Sequence, residues 1–327
     1  MQTATYSTVE KLEIKVDFKA PPSARGVLPG VIFFHGGGMV AGSRHEYAEW
    51  IVESAHAQGM IFLSADHRLI HPSTGFDIIE DMRALFAFLA DPTFSEKHLP
   101  DGVFLDPTRI AVMGASGGGY AARATALYAQ PKPKAVFLLY AMGGEFLSDH
   151  WLSVKPPGTS IMPGASAIDA SEVASLLENA LVPVAESANM IRDGGEASRI
   201  LLFPYWWQTG ELLDHVLGEP ISAHLRALPV HARLATVPEH LRPALLETQL
   251  DATFPPTFLV HGSADTGVLP SESQATFERA RELGVPVELE MVPNAPHGLL
   301  TSFSPLVLAP GAEQAQERGM KFLARYI

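Results

Sequence analysis

Six short apolar runs separated by longer amphipathic segments set the tightest limit on what this chain can fold into. The runs are VIFF (31–34), MIFLSA (60–65), RIAVM (109–113), KAVFLLY (134–140), TFLV (257–260) and VELEMV (287–292). Most are apolar throughout, as strands buried on both faces of a parallel sheet are. The intervals between them hold candidate crossover helices near 45–58, 77–90, 118–129, 271–283 and 312–326, so the pattern predicts an α/β fold with a mostly parallel sheet and flanking helices. KLEIKVDF (11–18) alternates apolar and polar residues instead, and this predicts an antiparallel edge strand open to water on one face.

One interval breaks the alternation. Between the run ending at Tyr140 and the one starting at Thr257 there are over a hundred residues with no convincing strand. A Pro/Gly loop, KPPGTSIMPGASA (155–167), opens the interval, helical pieces such as SEVASLLENAL (171–181) and GELLDHVLG (210–218) follow, and FPP (254–256) closes it. The expected organisation is a core of residues 1–142 and 256–327, with a helical cap, 143–255, inserted before the strand that precedes the last acidic motif. At 327 residues one large core with an insertion needs no second domain.

Composition removes several function classes. With 47% hydrophobic and 18% charged residues the chain has the make-up of a globular protein. A formal charge of −13, with no compensating Lys/Arg cluster, argues against nucleic acid as a partner. The absence of cysteine excludes disulfides, thiolate metal sites and a cysteine nucleophile. No apolar stretch reaches the roughly 18 residues of a membrane span. The first residues lack a basic and then an apolar region, and Asn179, Asn189 and Asn294 lack sequons, so a cytoplasmic location is the expectation. Composition leaves the oligomeric state open.

GASGGG (114–119), directly behind RIAVM, fits G-x-S-x-G through Gly114, Ser116 and Gly118. A strand that turns abruptly into a helix holds such a serine in a strained conformation, and small neighbours let the chain turn. GASAI (164–168) repeats the start of the motif without a preceding strand or a closing glycine. A serine hydroxyl needs a histidine base and a carboxylate to orient it. VHGSAD places Asp265, and VPNAPHG places His297, just past the ends of two predicted strands. Asp251 precedes its strand, and Glu288 and Glu290 lie within one. HGGG (35–38) follows VIFF, and its glycines offer backbone N–H groups to a developing oxyanion. Gly36, Gly37 and the amide of Gly117 are the expected donors, with His35 bracing the turn. All four elements fall at the carboxyl ends of predicted strands, where open α/β sheets build their sites.

Taken in order, FFHGGGMVAGS, ADHRLIHP followed by DIIEDMRAL, DPTRIAVMGASGGG, FLVHGSADTGVLP and GVPVELEMVPNAPHGL resemble the α/β-hydrolase superfamily, in particular the hormone-sensitive-lipase-like branch of carboxylesterases. The resemblance implies hydrolysis of a small-molecule carboxylic ester, an acyl-enzyme on Ser116, catalysis by Ser116, Asp265 and His297, and no cofactor or metal. Three departures stand out: Ala115 and Gly117 flank the serine where the family writes Asp and Ala, no N-terminal helical cap precedes the first core strand, and RLIHP replaces RLAPE, which leaves His71 near the site without a role.

Other readings compete with less support. GGGMVA (36–41) satisfies a dinucleotide fingerprint, but Gly42 and Ser43 interrupt any helix that would receive a pyrophosphate. His67 and His71 are four apart yet follow a strand, with no Glu between them, which argues against a metal site. Of FPYWWQ (203–208), Tyr205, Trp206 and Trp207 are candidate pocket residues, as are Met39 and Tyr120 beside the motif glycines. An acyltransferase or a hydrolase that releases a product from a carrier is the alternative within this chemistry. A small-molecule binding protein on a hydrolase scaffold is the alternative outside it.

Overall fold

The computed structural model describes residues 1–161, 166–178, 182–188, 198–303 and 305–327. Eight strands form one sheet: β1 (Gln2–Val9), β2 (Leu12–Lys19), β3 (Gly26–Phe34), β4 (Ile61–Ala65), β5 (Val103–Ala115), β6 (Val136–Leu139), β7 (Thr257–Gly262) and β8 (Val287–Val292). Their spatial order is β1-β2-β4-β3-β5-β6-β7-β8, antiparallel across β1, β2 and β4 and parallel from β4 to β8. KLEIKVDF is antiparallel as expected but is not the edge. QTATYSTV lies outside it as β1, a strand of small and polar residues that buries only Ala4 and Tyr6 and so carries little apolar signal.

The core helices are α1 (Glu49–Ala57), α2 (Gly75–Leu89), the short α3 (Phe94–His98) and α4 (Gly118–Tyr128). Successive residues of a strand point to opposite faces, and β3 shows the result. Val31 and Phe33 join one apolar cluster, while Ile32 and Phe34 join the other, with Ile78, Met82 and Ala121 of α2 and α4. Between β6 and β7 come α5 (Asp149–Leu152), α6 (Ala170–Glu178), α7 (Leu202–Thr209), α8 (Leu212–Leu217), α9 (Ser222–Arg226) and α10 (Val230–Thr236). Two single 3-10 turns, Arg242–Ala244 and Leu246–Thr248, then run back along α2 and α4 to the start of β7. Tyr120 and Tyr128 of α4 anchor this last leg by donating to the carbonyls of Ala244 and Pro243, both at 2.8 Å.

After β7, α11 (Pro270–Glu282) leads to β8, a hairpin of β9 (Leu300–Phe303) and β10 (Leu306–Leu308) follows, and α12 (Ala312–Ala324) closes the chain. Charge guards the β8 edge, as exposed edges require. Arg325 donates to Glu288 at 2.6 Å and Arg318 Nε to Glu290 at 2.7 Å. Among the described residues no helix is long and apolar enough to cross a membrane.

Candidate active site

Ser116 sits at the turn from β5 into α4 with φ +53°, in the left-handed region that an L residue enters only under constraint. Its N–H is held by the carbonyl of Leu139 at 3.0 Å, and its own carbonyl accepts from Gly119 and Met142, both at 2.9 Å. The turn therefore points the hydroxyl away from the core while its backbone is pinned on three sides. Asp265 follows β7, and His297 follows β8.

These three residues, 32 to 181 positions apart in sequence, form one chain of hydrogen bonds. The Ser116 hydroxyl lies 2.9 Å from His297 Nε2, and His297 Nδ1 lies 2.7 Å from Asp265 Oδ2. An ionised carboxylate only accepts, so Nδ1 carries the proton and Nε2 is left free to accept from the serine. Asp265 is filled on its other side as well, because Oδ1 accepts from the N–H groups of Gly267 at 2.9 Å and Val268 at 3.0 Å. Burial alone would raise this carboxyl. The bonds from His261 and His297 outweigh burial and hold it well below the usual carboxylate range, so the group stays ionised.

The HGGG loop lies against the turn that carries Ser116. A Cβ on Gly36 would meet Ser116 Cβ at 3.4 Å, and one on Gly117 would meet the backbone nitrogens of Met39 and Gly38 at 2.5 and 2.8 Å. Gly37 and Gly38 have φ of +103° and +60°. The N–H groups of Gly36 and Gly37 donate to no group among the described residues. The Gly37 carbonyl accepts from Val40 and Ala41, both at 3.0 Å, which fixes the loop. His35 and His67 stack beneath it with ring centroids 4.9 Å apart. Burial pushes His35 down to about 3 and His67 down to about 4, so both imidazoles are neutral supports. Arg44 anchors the end of the loop. Its Nε donates to Asp17 at 3.1 Å, its N–H to Asp66 at 2.6 Å, and its guanidinium also meets Glu186.

Above Ser116 opens a cavity of about 780 Å³ lined by Gly36, Gly37, Gly38, Trp50, Tyr140, His297 and Leu300 from the core, and by Ile161, Ile168, Ile200, Leu201, Phe203 and Pro204 from the β6–β7 connection. None of the five pocket candidates lines it. Met39 is in the core, its carbonyl holding the N–H of Ile70 at 2.9 Å. Tyr120 is buried under α4, where its hydroxyl reaches Ala244. Trp206 stacks on His215 at 3.7 Å, Trp207 lies under the Lys155 ammonium at 4.8 Å, and Tyr205 packs on the core without reaching the cavity. The α7 helix accounts for this placement. Its second and third residues, Phe203 and Pro204, meet the cavity, and the tryptophans sit one turn further along the axis.

His71 also stays out, with its ring edge on Trp206 and His215 and its carbonyl taken by Arg199 at 2.6 Å. Gly164 and Ala165 of the second Gly-Ala-Ser, and Asn179 and Asn189, lie outside the described residues. Among the described residues no group of three or more His, Asp or Glu side chains is placed to hold a metal.

Sequence reasoning missed Tyr140, Phe203 and His261. Tyr140 has φ +38°, and its ring meets the His297 ring edge-on at 5.1 Å. Burial, together with the charge of Asp265, pushes its hydroxyl up to about 12. Its position one residue past a parallel strand was the available signal.

Eight mostly parallel strands with Ser, Asp and His hydrogen-bonded in that chain order beyond their carboxyl ends define a class of fold and site. A family model described as alpha/beta hydrolase fold matches residues 31–189, and one described as prolyl oligopeptidase family matches residues 241–306. An α/β-hydrolase superfamily protein from Enterococcus faecalis superposes with a TM-score of 0.65 at 18% identity, covering 99% of both chains. The chain has the α/β-hydrolase fold. A probable carboxylesterase, M8, from a Phoma species is 36% identical over 129 residues, which are 38% of this chain and 40% of that protein. The non-reducing polyketide synthase pkbA of Emericella nidulans is 24% identical over 99% of this chain, which spans only 14% of the synthase.

Proposed function

We propose that this protein is a cofactor-free serine hydrolase that cleaves a carboxylic ester of small to medium size and apolar character. The observation that carries this reading is the continuous Ser116–His297–Asp265 hydrogen-bond chain opening into a mainly apolar cavity, whose polar lining includes Glu46, Glu172 and Gln316. Likeness to a probable carboxylesterase supports it. Ser116 Oγ attacks the substrate carbonyl as His297 Nε2 takes its proton, and Asp265 stabilises the imidazolium that forms. The N–H groups of Gly36, Gly37 and Gly117 receive the oxyanion. His297 then passes the proton to the leaving alcohol, which departs and leaves an acyl-Ser116. Water, deprotonated by His297, cleaves the acyl-enzyme by the reverse sequence. Residues 143–255 serve as the cap that supplies the far wall of the acyl or alcohol pocket.

A second reading, release of a product held as a thioester or its transfer to another acceptor, is favoured by the end-to-end match to a polyketide synthase segment. Polyketide chains grow as thioesters, and the same two half-reactions cleave them. The test is intact-mass analysis after a fluorophosphonate probe, with wild type and Ser116→Ala in parallel, followed by turnover of matched oxygen esters and N-acetylcysteamine thioesters. One adduct that Ser116→Ala loses, with turnover reduced on the order of 10⁶-fold in that variant, is the expected result. A clear thioester preference would favour the second reading. No adduct on folded wild type would sink both and leave a binding protein on this scaffold.

A further inference from the structure

The catalytic carboxylate of the proposed site is held by two histidines. His261, at the penultimate position of β7, is completely buried. Its Nε2 lies 2.9 Å from the carbonyl of Val268 and 3.2 Å from Asp265 Oδ2, the oxygen that also receives His297 Nδ1. A backbone carbonyl only accepts, so Nε2 must carry a proton, and that N–H is shared between the carbonyl and the carboxylate. On the far side of the ring, Nδ1 meets the Ser273 hydroxyl of α11 at 2.7 Å. The ring is therefore fixed at both nitrogens, and its tautomer follows from its partners.

We infer that His261 is a positioning residue of the hydrolytic site: through its Nε2–H it sets the direction and the basicity of the Asp265 oxygen that faces His297. The inference rests on the serine-hydrolase reading above. A hydrogen bond donated to Oδ2 withdraws negative charge from the oxygen that must stabilise a protonated His297. The bond thus trades some stabilisation of the imidazolium for a fixed carboxylate geometry. The groups facing this pair are few. Glu272 of α11 faces His261, with Arg123 of α4 beside it. His150 of α5 faces Asp265 and reaches the carbonyl of Gly267 at 3.0 Å. Tyr140 covers the other side of His297.

The distinguishing measurement is the pH profile of fluorophosphonate labelling of Ser116, which needs no knowledge of the substrate. His261→Leu removes the donor and keeps an apolar side chain in a buried site. Labelling should slow about tenfold, on the scale seen when a ligand's hydrogen-bond partner is removed. Its acid limb should move up by about half a pH unit, because a carboxylate without that donor holds the proton on His297 to higher pH. In His261→Gln the amide nitrogen reaches the place of Nε2, so the wild-type limb and most of the rate should return. If His261→Leu does not fold, Ser273→Ala loosens the ring from its other end and should give a smaller shift in the same direction. Slow labelling with an unmoved limb in both His261 variants would mean packing alone, and wild-type behaviour in His261→Leu would overturn the inference outright. A wild type that takes no label at all overturns the hydrolase reading first, so the two failures are told apart.

Discussion

Ser116, Asp265 and His297 stand beyond the ends of β5, β7 and β8, strands whose register is locked by paired neighbours on one or both sides. The opposite wall of the cavity, Ile168, Ile200, Phe203 and Pro204, comes from short helices and turns with no ladder behind them. Ser116, Asp265 and His297 are therefore placed by backbone hydrogen bonds and the facing wall by side-chain packing. Phe203 and Arg199 are among the contacts that join the regions. Phe203 lies where a Cβ on Gly38 would be, at 2.5 Å, and Arg199 donates to the carbonyls of Val40 at 3.0 Å and Ile70 at 2.9 Å. The HGGG loop is thus held from below by the sheet and from above by the connection. A change on the sheet side should act on turnover, and a change on the connection side on binding.

The largest effect that would break this comparison is Gly117→Ala. The added methyl has backbone on its far side rather than a flexible side chain, so the loop must move away from the serine. Turnover should fall by about 10² to 10³, the scale of losing one oxyanion donor, with KM little changed. A variant with nearly normal turnover would show that the loop adapts as freely as the connection does. Next is Phe203→Ala, which empties part of the wall and uncovers Gly38. KM for a long acyl ester should rise about tenfold while kcat changes less, and stability should drop by about 3 kcal/mol in urea unfolding. A loss confined to kcat would place Phe203 with the sheet side instead.

The smallest effect sharpens the picture of the sheet side alone. His67 has its titration pushed from an ordinary 6.5 down to about 4, so between those values the unfolded chain binds a proton that the folded one refuses. Its contribution to stability is full above pH about 6.5 and is lost as pH falls towards 4, at up to about 1.4 kcal/mol per unit. His67→Leu should flatten that slope in urea titrations at pH 7, 6 and 5. An unchanged slope would mean that the stacked imidazoles beneath the HGGG loop are reached by water and protons after all.

What could be read from the sequence follows the same division. Buried parallel strands announce themselves by apolar runs, and the candidate motifs sit at fixed offsets from them, so Ser116, Asp265 and His297 could be singled out before any coordinates, and the structure brings them within hydrogen-bond reach. Packing partners were not. The aromatic cluster 203–207 was visible, yet which ring meets the cavity depends on where α7 starts and how it lies over Gly38, and no local pattern encodes that. His261 lies within VHGSAD, but its surroundings depend on α11 delivering Ser273 to the other nitrogen. β1 escaped because it buries so little.

β6 and β7 run parallel and in register, with Val136 beside Thr257 and Leu139 beside Val260. The chain that leaves the sheet at one end of β6 must re-enter at the opposite end of β7, about 13 Å away for four residues of strand. The long connection is consequently a roof and a return staircase at once. An engineer who wished to open the cavity could not excise 143–255 and splice the ends. The graft would have to keep the leg through Arg242–Thr248 that descends along α2 and α4, and replace only the helices above it.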